Sequence, residues 1–244
     1  MSKLDIDPAL FAQSGLDSGA LTMLGAIVHR FEKPGEYRGT VRRGDDIENV
    51  FYLSVDPESP VAAADIDLAR LAGSLPRQGD AADCCCPKPA ETRFSVNPRG
   101  YALFRVSGGK GGYSVNMRRA DPSEDTPVFN STLLDDGQIF SARILRPGTY
   151  SVANTRGRGR AALTVGRPPK PFSGYRPPEP LRVVVTEGGF DPERMDLQPA
   201  QGLIFECRAP ARIVIKPERT GEDRGGEERT GDERAERRRR PRAE

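Results

Sequence analysis

The chain has 244 residues, of which 36% are hydrophobic and 30% charged, with 26 Gly, 22 Pro and no Trp. That mix excludes a large helical enzyme and points to a short-stranded, turn-rich fold whose core serves only part of the chain. Lys and Arg number 37 against 35 Asp and Glu, a formal net charge of +2, and this balance argues against wholesale binding to nucleic acid or to a membrane surface.

The N-terminal residues Met1 to Asp7 carry early acids and no apolar signal core, and the apolar run Ala20 to Val28 is too short to span a bilayer. No lipidation motif stands at either end, so the expectation is a cytoplasmic protein without membrane contact. Asp7-Pro8 reads as an N-cap and first helical position for a short helix over Ala9 to Ala12, closed by Gly15. Asp17 is expected to cap a second short helix through Leu21, Met23 and Leu24. The period then changes. Tyr37 to Arg42, the turn Gly44-Asp45-Asp46 and Val50 to Val55 form a hairpin signal. Asp65 to Leu71 reads either as a capped helical turn or as an alternating strand.

Residues 73–90 are poor in apolar side chains and hold Pro76, Gly79, Pro87 and Pro89, so a linker and a domain boundary are expected there. Strand signals become regular after Glu91. They cover Phe94 to Val96, Tyr101 to Val106, Tyr113 to Arg118, Ile139 to Leu145, Thr149 to Val152 and Ala161 to Val165. Tyr113 to Arg118 alternates strictly, as in a strand with one wet face. A Pro-rich stretch from Gly166 to Pro180 follows, then strands over Leu181 to Val185, Gly202 to Cys207 and Ala211 to Ile215. The expected division is a small mixed α+β segment over 1–72, the linker 73–90, a β-sandwich region over 91–217 and a tail over 218–244. Whether 91–165 and 181–217 share one core is open at this stage. The tail has no apolar residue larger than Ala235 and Ala243, carries nine acids and nine bases, and contains the near repeat Glu218 to Arg224 and Glu228 to Arg234. It is expected to be disordered.

Val183-Val184-Val185-Thr186, Gly189-Phe190-Asp191-Pro192, Leu203-Ile204-Phe205 and Ala211 to Ile215 resemble the first half of a cupredoxin-like sandwich. Gly137 to Val165, entered through Arg146-Pro147-Gly148-Thr149-Tyr150, resembles its closing half. The halves occur in reversed order, as two partial domains or a permuted one would. The resemblance implies an antiparallel cupredoxin- or immunoglobulin-like β-sandwich without copper chemistry. Ala211 stands where the family places its first ligand His, and the loop between Tyr150 and Ala161 has no Cys, His or Met.

Cys84-Cys85-Cys86-Pro87, completed by Cys207, is a candidate soft-metal (Cu or Zn) or thiol-redox site. Adjacent cysteines cannot all reach one metal without a bent backbone, and the competing reading is free thiols in a linker. Arg156, Arg158 and Arg160, with Arg118 and Arg119, are a candidate anion-binding patch, weighed against a solvated hairpin end. Gly108-Gly109-Lys110-Gly111-Gly112 lacks the spacing of a phosphate loop and reads as a hairpin turn. Arg237 to Arg242 is a basic run among acids. His29, the one histidine, has no triad partner that spacing nominates.

The resulting reading is a non-enzymatic interaction or structural protein with no cofactor and a protein partner, its oligomeric state open. The alternatives are a metal or thiol-redox protein centred on the cysteines and, more weakly, nucleic-acid binding through the arginine loop and tail.

Overall fold

Alternation of apolar and polar side chains runs through most of the chain, and β-structure follows from it. A computed structural model describes Leu10 and residues 15–73, 91–121, 127–167 and 175–218. Among the described residues there are seventeen strands in three open sheets and one short helix, α1 (Leu68–Ala72).

The central sheet has seven strands in the order β14 (Gly189–Asp191), β13 (Leu181–Thr186), β16 (Gly202–Cys207), β10 (Ile139–Arg143), β2 (Gly25–His29), β7 (Tyr101–Arg105) and β5 (Ala63–Asp67). One lateral sheet runs β6 (Thr92–Val96), β4 (Asp46–Val55), β3 (Gly35–Arg43), β8 (Tyr113–Arg119) and β9 (Pro127–Asn130). The other runs β1 (Leu16–Asp17), β17 (Ile213–Pro217), β11 (Gly148–Asn154), β12 (Arg160–Val165) and β15 (Arg194–Leu197). Ile27 and Phe140 are register partners at the β2–β10 seam and both are fully buried. Their side chains therefore point to one face of the central sheet, and both lateral sheets cover that face. One continuous apolar core fills the space between.

The two halves repeat each other. In the first, β2 pairs antiparallel with β7, β3 and β4 form a hairpin, β5 and β6 run parallel to β7 and β4, and β8 pairs with β3. In the second, β10, β11, β12, β13, β15, β16 and β17 take the same places with the same senses. The side chains follow. From Leu16 to Tyr37 and from Phe129 to Tyr150 the chain matches without a gap, and Ser18, Leu21, Arg30, Pro34, Gly35 and Tyr37 recur as Ser131, Leu134, Arg143, Pro147, Gly148 and Tyr150. Gly35 and Gly148 share a positive φ (136° and 150°) that a side chain would resist. The Tyr37 hydroxyl donates to the Lys33 carbonyl at 2.6 Å, and the Tyr150 hydroxyl to the Arg146 carbonyl at 2.8 Å.

The leading strands are exchanged. β1 precedes the first repeat but pairs with β17 of the second; β9 precedes the second but pairs with β8 of the first. A buried serine follows each. The Ile213 amide donates to the Ser18 hydroxyl at 3.0 Å, and the Val115 amide to the Ser131 hydroxyl at 2.8 Å.

Several expectations are corrected. The pairing is mixed, since β4–β6, β5–β7, β12–β15 and β13–β16 are parallel. Asp17 caps no helix; it lies in β1, accepts from the Gly19 amide at 2.8 Å and pairs with Arg212. The Asp65 to Leu71 window contains both readings. β5 ends at Asp67, whose carboxylate then accepts from the Ala69 and Arg70 amides to start α1. Burial opposes that charge, but donors from Ser107 and Arg70 and the Arg105 guanidinium outweigh it and hold the Asp67 carboxyl below the usual range. The glycine loop after β7 is no hairpin, since β7 and β8 belong to different sheets. Gly111 is required there because a Cβ would meet the Thr22 side chain at 2.6 Å. Residues 15–72 do not stand apart from residues after 91: β3 and β4 pair with β8 and β6, and β2 pairs with β7 and β10. Residues 139–165 and 181–217 complete one pair of sheets. The helix expected over Ala9 to Ala12 lies outside the described residues except for Leu10, as does the tail beyond Glu218.

Candidate functional site

The reactive groups singled out by type are used in packing where they can be described. Cys84, Cys85 and Cys86 lie outside the described residues. Cys207 sits in β16 as a free thiol, 1% exposed, and burial, followed by the Asp135 and Asp136 carboxylates, pushes its pKa up to about 12. His29 stacks on Phe129 with ring centroids 4.5 Å apart and meets Phe31 edge-on, also at 4.5 Å. Its burial lowers the pKa to about 4, so the ring is neutral near neutral pH. Among the described residues no group of three or more His, Cys, Asp and Glu side chains is placed to hold a metal ion.

Arg156 and Arg158 lie in the β11–β12 turn and Arg160 opens β12; all three are exposed. Arg158 and Arg160 border an open groove of about 500 Å³ that also takes in Ser151, Thr155 and Lys216. Arg118 and Arg119 are not part of it. They belong to a separate and larger groove.

That groove, about 600 Å³, lies on the outer face of the β3–β8 pair. Strand alternation puts Tyr37, Gly39 and Val41 into the core and turns Arg38, Thr40 and Arg42 outward. On β8 the same alternation turns Ser114, Asn116 and Arg118 outward beside them. Register sets Arg38 directly opposite Arg118, Thr40 opposite Asn116 and Arg42 opposite Ser114. Asn130 and Thr132, at the end of β9, close one side and Ile47, 56% exposed, the other. Among the described residues no carboxylate pairs with Arg38 or Arg42; Arg42 donates to the Asp45 carbonyl at 3.1 Å. Tyr52, the neighbour of Arg38 on β4, carries the Arg93 guanidinium 4.7 Å above its ring.

The second repeat carries the equivalent face as the 500 Å³ groove over Ser151, Thr155 and Lys216, with an internal ion pair beside it. Arg212 stands at the position of Ser114 and Asp17 at that of Asn130, each following or preceding a matched serine contact. The Arg212 guanidinium donates to both Asp17 carboxylate oxygens, at 3.0 and 2.8 Å. This pairing, chiefly the hydrogen bond, raises the already high Arg212 pKa. Gly19 makes room for it, since a Cβ there would lie 2.5 Å from the Arg212 Nε. The first repeat has Thr132 at that position.

This groove was reachable from sequence only in part. Arg38 and Arg42 sit at even spacing in a hairpin strand, but nothing local brings Ser114, Asn116 and Asn130 to them. Comparison with protein-family models, curated proteins and solved structures gives no match to this chain. Among the described residues no helix is long and apolar enough to cross a membrane.

Proposed function

We propose that this chain is a non-enzymatic interaction protein that engages a protein partner through the outer face of β3 and β8. One observation carries the reading: an open groove of about 600 Å³ gathers arginine, threonine and asparagine side chains, with the single carboxylate of Asp121, on one outer face of the sheet. Register sets Arg38 and Arg118 side by side on this face, which concentrates positive charge there. The burial of Cys207 and the aromatic packing of His29 support a role other than catalysis. The fold is read as cupredoxin-like in its second repeat, a reading supported by the joining of Gly137 to Val165 and Arg182 to Pro217 in one pair of sheets.

A photo-crosslinking residue placed at Thr40, inside the groove, tests the reading against one at Thr164 on the outer face of β12. Adducts with another polypeptide are expected from Thr40 and not from Thr164, and are expected to disappear in Arg38→Ser/Arg42→Thr. Equal yields from the two positions would remove the groove from consideration.

A further inference from the structure

The internal repeat makes one half of the molecule a reference for the other, and the comparison bears on what the groove takes. Resting on the reading of this face as the recognition surface, we propose that its ligand is an extended acidic peptide segment, held through its carboxylates. In the second repeat this face already binds a carboxylate: Asp17, gripped by Arg212 through two hydrogen bonds. In the first repeat the internal carboxylate is gone, replaced by Asn130, and the internal guanidinium is gone, replaced by Ser114. The groove there is lined by Arg38, Arg42 and Arg118 together with Asp121, where the second repeat's groove carries Arg158, Arg160 and Lys216. Arg38 and Arg42 occupy the positions of Ser151 and Thr155, while Arg118 occupies that of Lys216. The first repeat thus lacks the internal ion pair and carries two arginines on β3 where the second repeat has Ser151 and Thr155.

The spacing suits an extended chain. Arg38 and Arg42 are four residues apart on one strand face, about 13 Å at the rise of a β-strand. Side chains four apart on an extended ligand span the same distance. Guanidinium groups pair bidentately with carboxylates, and Thr40, Asn116 and Ser114 between them supply donors and acceptors for a peptide backbone. Single-stranded nucleic acid would need open aromatic faces for base stacking. The neighbouring ring on this face, Tyr52, is already covered by Arg93.

The test uses the full chain and fluorescence anisotropy with labelled oligoglutamate, oligoglutamine and oligothymidylate. Arg38→Ser/Arg42→Thr removes two cations. The triple variant Ser114→Arg/Asn130→Asp/Thr132→Gly rebuilds the Arg212–Asp17–Gly19 plug in the first repeat and leaves the net charge unchanged. Oligoglutamate is expected to bind and oligoglutamine not to, with affinity falling about tenfold or more in both variants. Loss in the plug variant matters most, because diffuse attraction to a basic surface would survive it. Binding of oligothymidylate in the groove with none of oligoglutamate would overturn the acidic-peptide assignment while leaving the groove as a recognition surface. Oligoglutamate binding that is indifferent to the plug would overturn the proposal by placing the contact elsewhere. Crosslinks from Thr40 that vanish in Arg38→Ser/Arg42→Thr, without any oligoglutamate affinity, would overturn the ligand class alone; the absence of both would remove the groove as well.

Discussion

The Asp17 carboxylate and the Arg212 guanidinium, 195 residues apart in sequence, meet through two hydrogen bonds and tie β1 to the residue that leads into β17. Both side chains are about one-third exposed (28% and 35%), so the pair is partly shielded from water. Arg212→Ala is expected to cost about 1–3 kcal/mol, the range for hydrogen bonds to charged groups. Asp17→Ala should cost a similar amount, and the double variant less than their sum because the two losses are one interaction. Urea unfolding of the four proteins checks this; additive losses would mean the contact contributes nothing of its own.

The two buried serines give a paired prediction. Ser18→Ala leaves the Ile213 amide without its side-chain acceptor, and Ser131→Ala does the same to the Val115 amide. Each is expected to lower stability by about 1–3 kcal/mol, the cost of an unsatisfied buried donor. The two values should agree closely, since the contacts are copies. Denaturant midpoints that differ widely would show that the repeats are not energetically equivalent at this point.

His29 sets a pH dependence. Its pKa is depressed from 6.5 to about 4 in the fold, so the unfolded chain takes up a proton that the native state refuses. Stability is full above about pH 6.5 and falls as pH drops from there toward 4, with a total loss of about 3 kcal/mol from this group. Below pH 4 both states are protonated and this contribution changes no further. His29→Gln should flatten the curve between pH 6.5 and 4 in thermal melts. A wild-type curve as flat as that of the variant would contradict the half-buried, neutral ring.

Cys207 is expected to resist alkylation in the native protein. A thiol with a pKa of about 12 holds almost no thiolate near neutral pH, and it is 1% exposed. Peptide mapping by mass spectrometry after iodoacetamide treatment should find Cys207 unmodified until denaturant is added, whatever happens at Cys84, Cys85 and Cys86. Native labelling at Cys207 would show that β16 opens locally.

Strands were legible wherever one face is wet and the other dry. Tyr113 to Arg118 alternates strictly and is part of β8 as expected, which runs one residue further to Arg119. Asp17 misled because a carboxylate before a loop reads as a helix cap, while its actual partner, Arg212, lies just before β17. The division of the chain at 73–90 followed composition, yet parallel pairing carries β4 across it to β6. The duplication is written mainly in main-chain register; few side chains besides Ser18, Leu21, Pro34, Gly35 and Tyr37 recur, and sheet pairing tolerates almost any apolar residue inside. Of the groove, Arg38 and Arg42 could be placed on one face from spacing alone. Their partners on β8 and β9 come from register between distant segments, which local periodicity does not encode.

The exchange of β1 and β9 has a consequence for biosynthesis. Among the described strands a ribosome makes β1 first, but its strand neighbour there, β17, is made after all the others. Nascent chains therefore wait with Leu16 and Asp17 unpaired until Ile213 to Pro217 has been made. Interrupted messages that stop short of Ile213 would release products with a bare β11 edge, natural clients for chaperones and proteases.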